Sequence, residues 1–285
     1  MITKEKRFLK YILLAGLLFI TGCGQAEPAA SMDQTEMPDE DANKLLYVTE
    51  TDRNEDFDDP VYLDLSEMQD VVITTGGEYV LSGEYHQTLK VDAHDGIVHL
   101  IFDNVNIQTS VGPALYVASG GKVVVTLMQD SVNNLFDAAY YDNEDLSGAI
   151  SSECDLTING LGTLNVCGYY KDAIHTKDVC KILDADVQLK AKRYGIKGND
   201  GIILAPSNLV IESEKNGCQT TNANKEDKGV IDIRMGKISI IAGEYALSAA
   251  SDVFIRGDEV YLNSVIGDIY TEGQQAIAEG ALIDE

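Results

Sequence analysis

The stretch Asp155–Asp200, DLTINGLGTLNVCGYYKDAIHTKDVCKILDADVQLKAKRYGIKGND, repeats itself after about 22 residues, and the similarity extends over Ser151–Ile277. Each repeat contains two apolar residues that are two positions apart. Successive pairs follow at steps of 23, 22, 29 and 22 residues: Leu164/Val166, Val187/Leu189, Leu209/Ile211, Ile238/Ile240 and Val260/Leu262. Self-similarity at a near-constant period is typical of a repeat architecture.

The pattern inside each repeat indicates the type of architecture. Apolar and polar residues alternate, as in Leu164-Asn165-Val166, which is the periodicity of a strand and not of a helix. Glycine, asparagine and aspartate turns separate about three short strands per repeat. The sequence therefore predicts an all-β fold, a single-stranded parallel β-helix of about 22-residue coils, stacked roughly 4.8 Å apart. We assign residues 60–285 to it, with Glu272–Glu285 as a short helix over its end.

The N-terminus has the features of an export signal. A basic start precedes the apolar run Tyr11–Ile20, which is too short to span a bilayer. The run ends in Thr21-Gly22-Cys23, which resembles a bacterial lipobox. We therefore predict a lipoprotein signal peptide at residues 1–22, lipidation of Cys23, and a location on the extracellular face of the bacterial cell membrane. A simple secretory signal and an uncleaved anchor are the alternatives.

Residues 23–59 are expected to form an acidic, disordered tether. The segment combines low hydrophobicity with a dense set of acidic side chains, a composition that does not support a packed core. Its acidic residues up to position 41 are Glu27, Asp33, Glu36, Asp39, Glu40 and Asp41. The short apolar patch Lys44–Thr49 could pair as a strand.

Four strings carry a resemblance to a known family: ITTGGEYVLSG at Ile73–Gly83, VHLIFDNVNI at Val98–Ile107, DLTINGLG at Asp155–Gly162, and Asp172-Ala173-Ile174 followed by Lys177-Asp178. Together they resemble the pectate-lyase-like, right-handed parallel β-helix family of bacterial carbohydrate-binding proteins. The resemblance covers about residues 60–270. It implies binding of plant cell-wall polysaccharide, either cellulose or acidic pectin-like chains, with calcium ions on the coils.

A metal site also follows from the residues themselves. Asp155, Asp178 and Asp200 share one phase on three successive coils, and Asp172 keeps the turn acid of the family pattern. Stacked carboxylates about 5 Å apart would repel by roughly 3 kcal/mol per pair at an effective dielectric of about 20. Calcium would remove this repulsion, because it prefers carboxylate and carbonyl oxygens. These four aspartates are the candidate ligands of Ca²⁺, and capping of their own turns is the alternative.

The net charge of −26 restricts the partners. Such a surface repels nucleic acid, so no nucleic-acid partner is expected, and it repels anionic membranes, so the lipid is the only membrane contact. It also repels a polyuronate unless calcium bridges the two. A neutral glucan or a calcium-dependent pectin is therefore the expected polysaccharide partner, and the chain is expected to be a monomer.

Tyrosines are the candidate sugar-stacking residues, because sugar faces pack on flat rings and the sequence lacks Trp. Two adjacent pairs and two turn positions form the predicted carbohydrate-binding set: Tyr140, Tyr141, Tyr169, Tyr170, Tyr194 and Tyr245. An exposed strip of these rings would bind polysaccharide. Packing of the rings against neighbouring turns is the alternative.

Catalytic motifs are missing from the sequence. There is no Gly-x-Ser-x-Gly, no phosphate-binding loop and no His-Glu-x-x-His, so no catalytic residue is assigned. A lyase would need a basic residue near the acidic column, and the sequence permits this without indicating it: Lys177, Lys192, Arg193 and Lys197. The cysteines Cys154, Cys167, Cys180 and Cys218 are expected to be mostly free thiols, with Cys167 and Cys180 facing outward.

Three hypotheses follow. The first is a non-catalytic, lipid-anchored protein that binds polysaccharide. The second is a polysaccharide lyase of the pectate-lyase type. The third is a structural or adhesive surface solenoid that binds a protein partner.

Overall fold

A computed structural model describes residues 37–39, 47–223, 227–257 and 259–284. Nearly all regular structure in these residues is β-strand, with two 3₁₀ turns at Thr51–Arg53 and Leu65–Glu67. The irregular first coils contain β1 (Val61–Asp64), β2 (Val72–Ile73), β3 (Gly77–Tyr85), β4 (Leu89–Asp92), β5 (Ile97–Gln108), β6 (Leu115–Ser119), β7 (Lys122–Leu127), β8 (Val132–Phe136) and β9 (Gly148–Ser152). The regular coils contain β10 (Leu156–Gly160), β11 (Thr163–Gly168), β12 (Asp172–Thr176), β13 (Val179–Leu183), β14 (Asp186–Ala191), β15 (Ile196–Gly198), β16 (Gly201–Ala205), β17 (Asn208–Ser213), β18 (Cys218–Gln219), β19 (Val230–Ile233), β20 (Lys237–Ala242), β21 (Tyr245–Ala249), β22 (Val253–Ile255), β23 (Glu259–Ser264), β24 (Gly267–Thr271) and β25 (Gln275–Ile277).

The strands stack in three parallel columns. The first sheet is β1-β3-β5-β7-β10-β13-β16-β19-β22-β25, the second is β3-β5-β8-β11-β14-β17-β20-β23, and the third is β2-β4-β6-β9-β12-β15-β18-β21-β24. The long strands β3 and β5 run through both the first and the second sheet. Each regular coil visits the three sheets in turn, which confirms the predicted single-stranded parallel β-helix.

The core is a set of aligned apolar rows inside the three sheets. In the first sheet Ile158 pairs with Ile182, and Ile182 pairs with Leu204. All three are fully buried. The register repeats because a parallel ladder places residues of equal phase directly above one another, so the period read from the sequence becomes a column of side chains.

The turn between the first and second sheets is tight. Gly160 has a φ of +100°, a conformation that L side chains rarely adopt. A Cβ atom on Gly160 would lie 2.3 Å from the carbonyl oxygen of Leu127 on the preceding coil. Glycine is therefore required here both by the backbone conformation and by the close approach of the neighbouring coil.

The C-terminal tail differs from the expected helix. Residues Gln275–Ile277 instead form β25, which pairs with β22, and Leu282 bridges to Val260. The tail thus continues the first sheet by one more strand. Strand pairing is favoured here because β22 would otherwise leave its backbone edge without partners.

The described part of the predicted tether also differs from the expectation. Residues 47–59 lie against the outer face of the first sheet, and Asp52 is completely buried there. Val48 packs against apolar side chains of this face, and residues 47–49 form no strand. The composition suggested disorder because most of these side chains are polar, but one of them is held by buried partners on the sheet.

The predicted signal peptide at 1–22 and the lipidation site Cys23 lie outside the described residues. In the described part of the chain, no helix has the length and apolarity needed to cross a membrane. The four cysteines at positions 154, 167, 180 and 218 are free thiols. Cys180 is fully buried in the core, contrary to the expectation that it faces outward, whereas Cys167 is half-buried on the outer side of β11.

Candidate functional site

A row of amide side chains runs along the outer face of the second sheet. Asn106, Asn134, Asn165 and Gln188 occupy one register position in β5, β8, β11 and β14. Asn165 Nδ2 donates a hydrogen bond to Asn134 Oδ1 at 2.9 Å, and Asn134 Nδ2 donates to Asn106 Oδ1. Each amide has two N–H donors and an oxygen with two lone pairs, so groups remain for a ligand.

A second row lies two residues further along the same strands. Phe136, Cys167, Lys190 and Glu212 are register neighbours in β8, β11, β14 and β17. Lys190 and Glu212 form an exposed ion pair at 3.3 Å. The two rows line a groove of about 320 Å³, which we call the amide groove and define by Asn134, Phe136, Asn165, Cys167, Gln188 and Lys190.

The amide groove has the chemistry of a sugar-binding surface. Its amides repeat at the spacing of neighbouring strands, about 4.8 Å, which is close to the length of one pyranose unit. Phe136 and Tyr169 meet edge to face at 6.5 Å and provide flat apolar rings at one end. A chain of sugars lying across the strands would meet hydrogen-bonding groups at regular intervals.

The predicted tyrosines do not form one strip. Tyr140 and Tyr169 are exposed, while Tyr170, Tyr194 and Tyr245 are half-buried. Tyr169 reaches the amide groove through its contact with Phe136. Around the turn before the third sheet, the Arg193 guanidinium covers the Tyr194 ring and Tyr245 packs at 5.4 Å from Tyr270.

Tyr141 is a wrong prediction, because only 1% of it is exposed. Its ring stacks on Tyr170 with the centroids 4.4 Å apart. Its hydroxyl lies 2.8 Å from Asp137 Oδ2 and 2.9 Å from the carbonyl oxygen of Gly148. Tyr141 therefore fixes the 137–147 loop on the body and is not available to stack on a sugar.

Asp172 does not fit a calcium site. It is completely buried, and Arg193 holds both of its oxygens, with Nε and Nη2 each at 2.7 Å. The backbone N–H of Tyr194 adds a third bond to Asp172 Oδ1. A carboxylate whose two oxygens are bound to one guanidinium has no free site for a cation, so Asp172 has a structural role.

The other three aspartates are close together, as the sequence predicts. Burial, followed by the neighbouring carboxylates of Asp155 and Asp200, raises the pKa of Asp178. The Asp200 oxygens, however, accept from Asn222 Nδ2 at 2.6 Å and from Lys228 Nζ. Within the described residues, no three His, Cys, Asp or Glu side chains are arranged to hold a metal. Calcium stays a prediction for Asp155 and Asp178, while Asp200 already has a cationic partner.

A buried polar cluster on the third sheet was not foreseen from the sequence. Ser147 Oγ lies 2.5 Å from His175 Nδ1, and Asp172 Oδ2 lies 3.8 Å from the same nitrogen. A Ser-His-Asp triad needs the serine and the aspartate at different nitrogens of the ring, so this cluster is not a triad. Burial, and then the nearby charge of Lys197, lowers the pKa of His175 to about 4, which keeps it neutral near pH 7.

Asp137 is a second buried carboxylate that the sequence did not single out. It accepts from the Tyr141 hydroxyl and from the backbone N–H of Tyr169 at 2.5 Å. These bonds favour the ionised form, but burial outweighs them and raises the pKa of Asp137 to about 6.

The substitution Asp137→Asn is expected to change how stability depends on pH. The folded carboxyl keeps its proton up to about pH 6, whereas the unfolded chain loses it near 3.8. The folded state therefore binds more protons between these values, and the stability due to Asp137 falls as the pH rises through this window. The variant lacks this loss. Its unfolding free energy relative to wild type should rise by about 2–3 kcal/mol from pH 4 to pH 6.

Urea unfolding of both proteins at several pH values measures this difference. His175 titrates in the opposite sense, but it is present in both proteins and cancels in the comparison. A difference that stays constant from pH 4 to pH 6 would contradict the raised pKa of Asp137.

The chain is similar to known proteins. A family model described as "Carbohydrate-binding domain-containing protein" matches residues 67–281. A protein of Acetivibrio thermocellus with the same description is 31% identical over 283 residues, which cover 96% of this chain and 97% of that protein. A solved structure described as the polysaccharide lyase-like protein from C. thermocellum, in a gadolinium derivative, has a TM-score of 0.74 and 28% identity. It covers 78% of this chain and 98% of that chain.

Proposed function

Because the chain belongs to the carbohydrate-binding domain-containing protein family, we propose that it binds a polysaccharide along the amide groove of the second sheet. The observation that carries this proposal is the continuous amide row of Asn134, Asn165 and Gln188 beside the Phe136 ring. The polymer would lie parallel to the solenoid axis, with about one sugar per coil. Its hydroxyl groups would bond to the amides and one sugar face would pack on the ring.

The charges favour a neutral polymer such as cellulose. The chain carries a net charge of −26, and Lys190, the only cation among the described residues that line the amide groove, is paired with Glu212. A polyuronate would meet repulsion that this groove does not offset. Binding of acidic pectin would require calcium between the polymer and the protein, with Asp155 and Asp178 as the candidate ligands.

The protein is further proposed to act at the cell surface as a monomeric, non-catalytic lipoprotein. The support is the sequence Thr21-Gly22-Cys23 at the end of the apolar run. Replacement of Cys23 by alanine should abolish incorporation of labelled fatty acid and release the protein from the membrane fraction. Unchanged labelling in the variant would contradict lipidation at this residue.

Retention on polysaccharide tests the groove. The soluble chain, residues 24–285, is applied to insoluble cellulose and to polygalacturonate, each with calcium and with chelator. Asn165→Ala and Gln188→Ala should each weaken retention on cellulose about fivefold, because each removes about one net hydrogen bond near 1 kcal/mol. Gln275→Ala is the matched control, since Gln275 is an exposed amide on β25 of the first sheet.

The outcomes separate the hypotheses. Equal retention of the groove variants and the control would contradict binding at the amide groove. Retention on polygalacturonate only with calcium would favour the pectin-type ligand. If neither polymer retains the protein, the result would favour the hypothesis that it binds a protein partner.

One observation favours a lyase as the second candidate. Lys197 lies beside His175 in the register of the third sheet. Burial lowers the pKa of Lys197. The charge of Asp172 opposes this shift, and the charge of Arg193 adds to it. A lysine with a lowered pKa is a candidate general base. The test is release of an unsaturated uronate product, measured by its ultraviolet absorbance. Product formed by wild type and lost in Lys197→Met would establish lyase activity. We expect that wild type forms no such product.

A further inference from the structure

The segment Tyr47–Asp59 crosses the outer face of the first sheet, and we call it the strap. It contains the 3₁₀ turn Thr51–Arg53 and no β-strand, and Asp52 is its only buried residue. The other strap residues are half-buried or exposed. Asp52 is therefore the deepest side chain of the strap, and the half-buried Val48 adds apolar contacts with the same sheet face.

The Asp52 carboxylate is surrounded by donors. Lys122 Nζ lies 2.8 Å from Oδ1, and Lys181 Nζ lies 2.9 Å from Oδ2. The Thr157 hydroxyl donates to Oδ1 at 2.6 Å, and Asn159 Nδ2 donates to the Asp52 carbonyl oxygen at 2.9 Å. The hydrogen bonds from Lys122, Thr157 and Lys181 outweigh the burial of this group and hold its pKa well below the usual range.

These four donors belong to the sheet, while within the strap the backbone N–H and the hydroxyl of Thr49 also donate to Asp52 Oδ2, at 2.8 and 2.9 Å. Lys122 is on β7, Thr157 and Asn159 are on β10, and Lys181 is on β13, which are three adjacent strands. The Lys181 side chain is 3% exposed and that of Lys122 is 13% exposed. Two buried ammonium groups side by side require an anion, because an uncompensated buried charge is strongly unfavourable. The sheet therefore has a built site for a carboxylate.

The strap makes further contacts outside the Asp52 carboxylate. Lys181 Nζ donates to the carbonyl oxygen of Tyr47 at 2.7 Å, the backbone N–H of Asp58 donates to Glu78 Oε2 at 2.8 Å, and Val48 packs on apolar side chains of the sheet. Arg53 pairs with Asp184 across 3.5 Å in solvent, and Phe57 meets His99 edge to face. The exposed Arg53–Asp184 pair contributes about 0–1 kcal/mol. None of the described strap contacts belongs to a strand ladder, so the strap can leave the sheet without unpairing a strand, provided that another anion replaces Asp52.

We propose that Lys122, Thr157 and Lys181 form a carboxylate-binding site that Asp52 occupies as an internal ligand and yields to a carboxylate of an external ligand when the strap lifts. The site lies on the first sheet and the amide groove on the second, so this inference is independent of the proposed polysaccharide site. The charge of the two lysines selects a carboxylate over a neutral group.

Chemical rescue of the full chain tests the site. Asp52→Gly removes the CH2–COO⁻ side chain and leaves room for acetate, which has the same carboxylate and the same number of carbon atoms. The unfolding midpoint of this variant should be about 2–4 °C higher in sodium acetate than in sodium chloride of equal ionic strength. Wild type and the control Asp56→Gly, which changes an exposed acid of the same strap, should have equal midpoints in the two salts.

Equal midpoints of Asp52→Gly in acetate and chloride would overturn the proposal. If this variant does not fold, wild type provides the second measurement through tryptic cleavage after Arg53, which lies in the strap. Acetate should accelerate this cleavage several-fold over chloride because it competes with Asp52. Equal cleavage rates would overturn the proposal as well. Neither readout involves polysaccharide, so failure here leaves the amide groove untouched.

Discussion

Replacing Arg193 by alanine is expected to lower the free energy of unfolding by about 3–5 kcal/mol. Among the residues that the structure describes, Arg193 is the only cation bonded to Asp172, and that carboxylate has no exposure to solvent. Without the guanidinium, the charge would remain buried, with Ser147 and the backbone N–H of Tyr194 as its remaining close donors in the described part of the chain. The loss measures an uncompensated charge and not the net value of the ion pair.

Lys215→Ala is the matched control for this prediction. Lys215 lies one coil further along, where its backbone N–H donates to the carbonyl oxygen of Arg193, and it pairs with Glu244 at 3.2 Å. The two side chains of that pair are 49% and 37% exposed, so the expected loss is about 0–1 kcal/mol. Urea unfolding of the two variants gives the comparison. Equal losses would show that the burial of Asp172 does not determine the effect.

The second large effect is expected in the core. Ile182→Ala should lower the free energy of unfolding by about 2–5 kcal/mol, because Ile182 is fully buried between Ile158 and Leu204 and the neighbouring coils hold the cavity open. Ile241→Ala is the control, since Ile241 on β20 is 46% exposed and should change stability by about 0.5 kcal/mol or less. A loss at Ile241 as large as that at Ile182 would contradict the assignment of inner and outer rows.

These stability predictions bear on function because the groove and the core share the same strands. In β11, Leu164 and Val166 point into the core while Asn165 and Cys167 face the amide groove. The inner residues fix the register of the strand. The register in turn brings Asn165 within 2.9 Å of Asn134 and aligns the amides that a polysaccharide would meet.

The candidate site could be predicted only in part. The sequence correctly placed aspartates 155, 178 and 200 near one another, because equal phase on successive coils means adjacency. It missed the amide row, although Asn134, Asn165 and Gln188 also share one phase. Tyr141 was misassigned because it belongs to the 137–147 loop, where strand alternation does not determine which side chains face solvent.

The sequence alone determined the architecture. The period near 22 residues and the alternating apolar positions indicate a solenoid of stacked strands, because this arrangement buries every inner row. In a parallel ladder, residues at the same position of successive repeats lie in contact. Tertiary structure alone decided the partners of the charged groups. Asp52 meets Lys181 across 129 residues, and Arg193 takes Asp172 away from any metal. No period encodes these contacts, because they depend on where turns and the N-terminal strap run and on which charges become buried together.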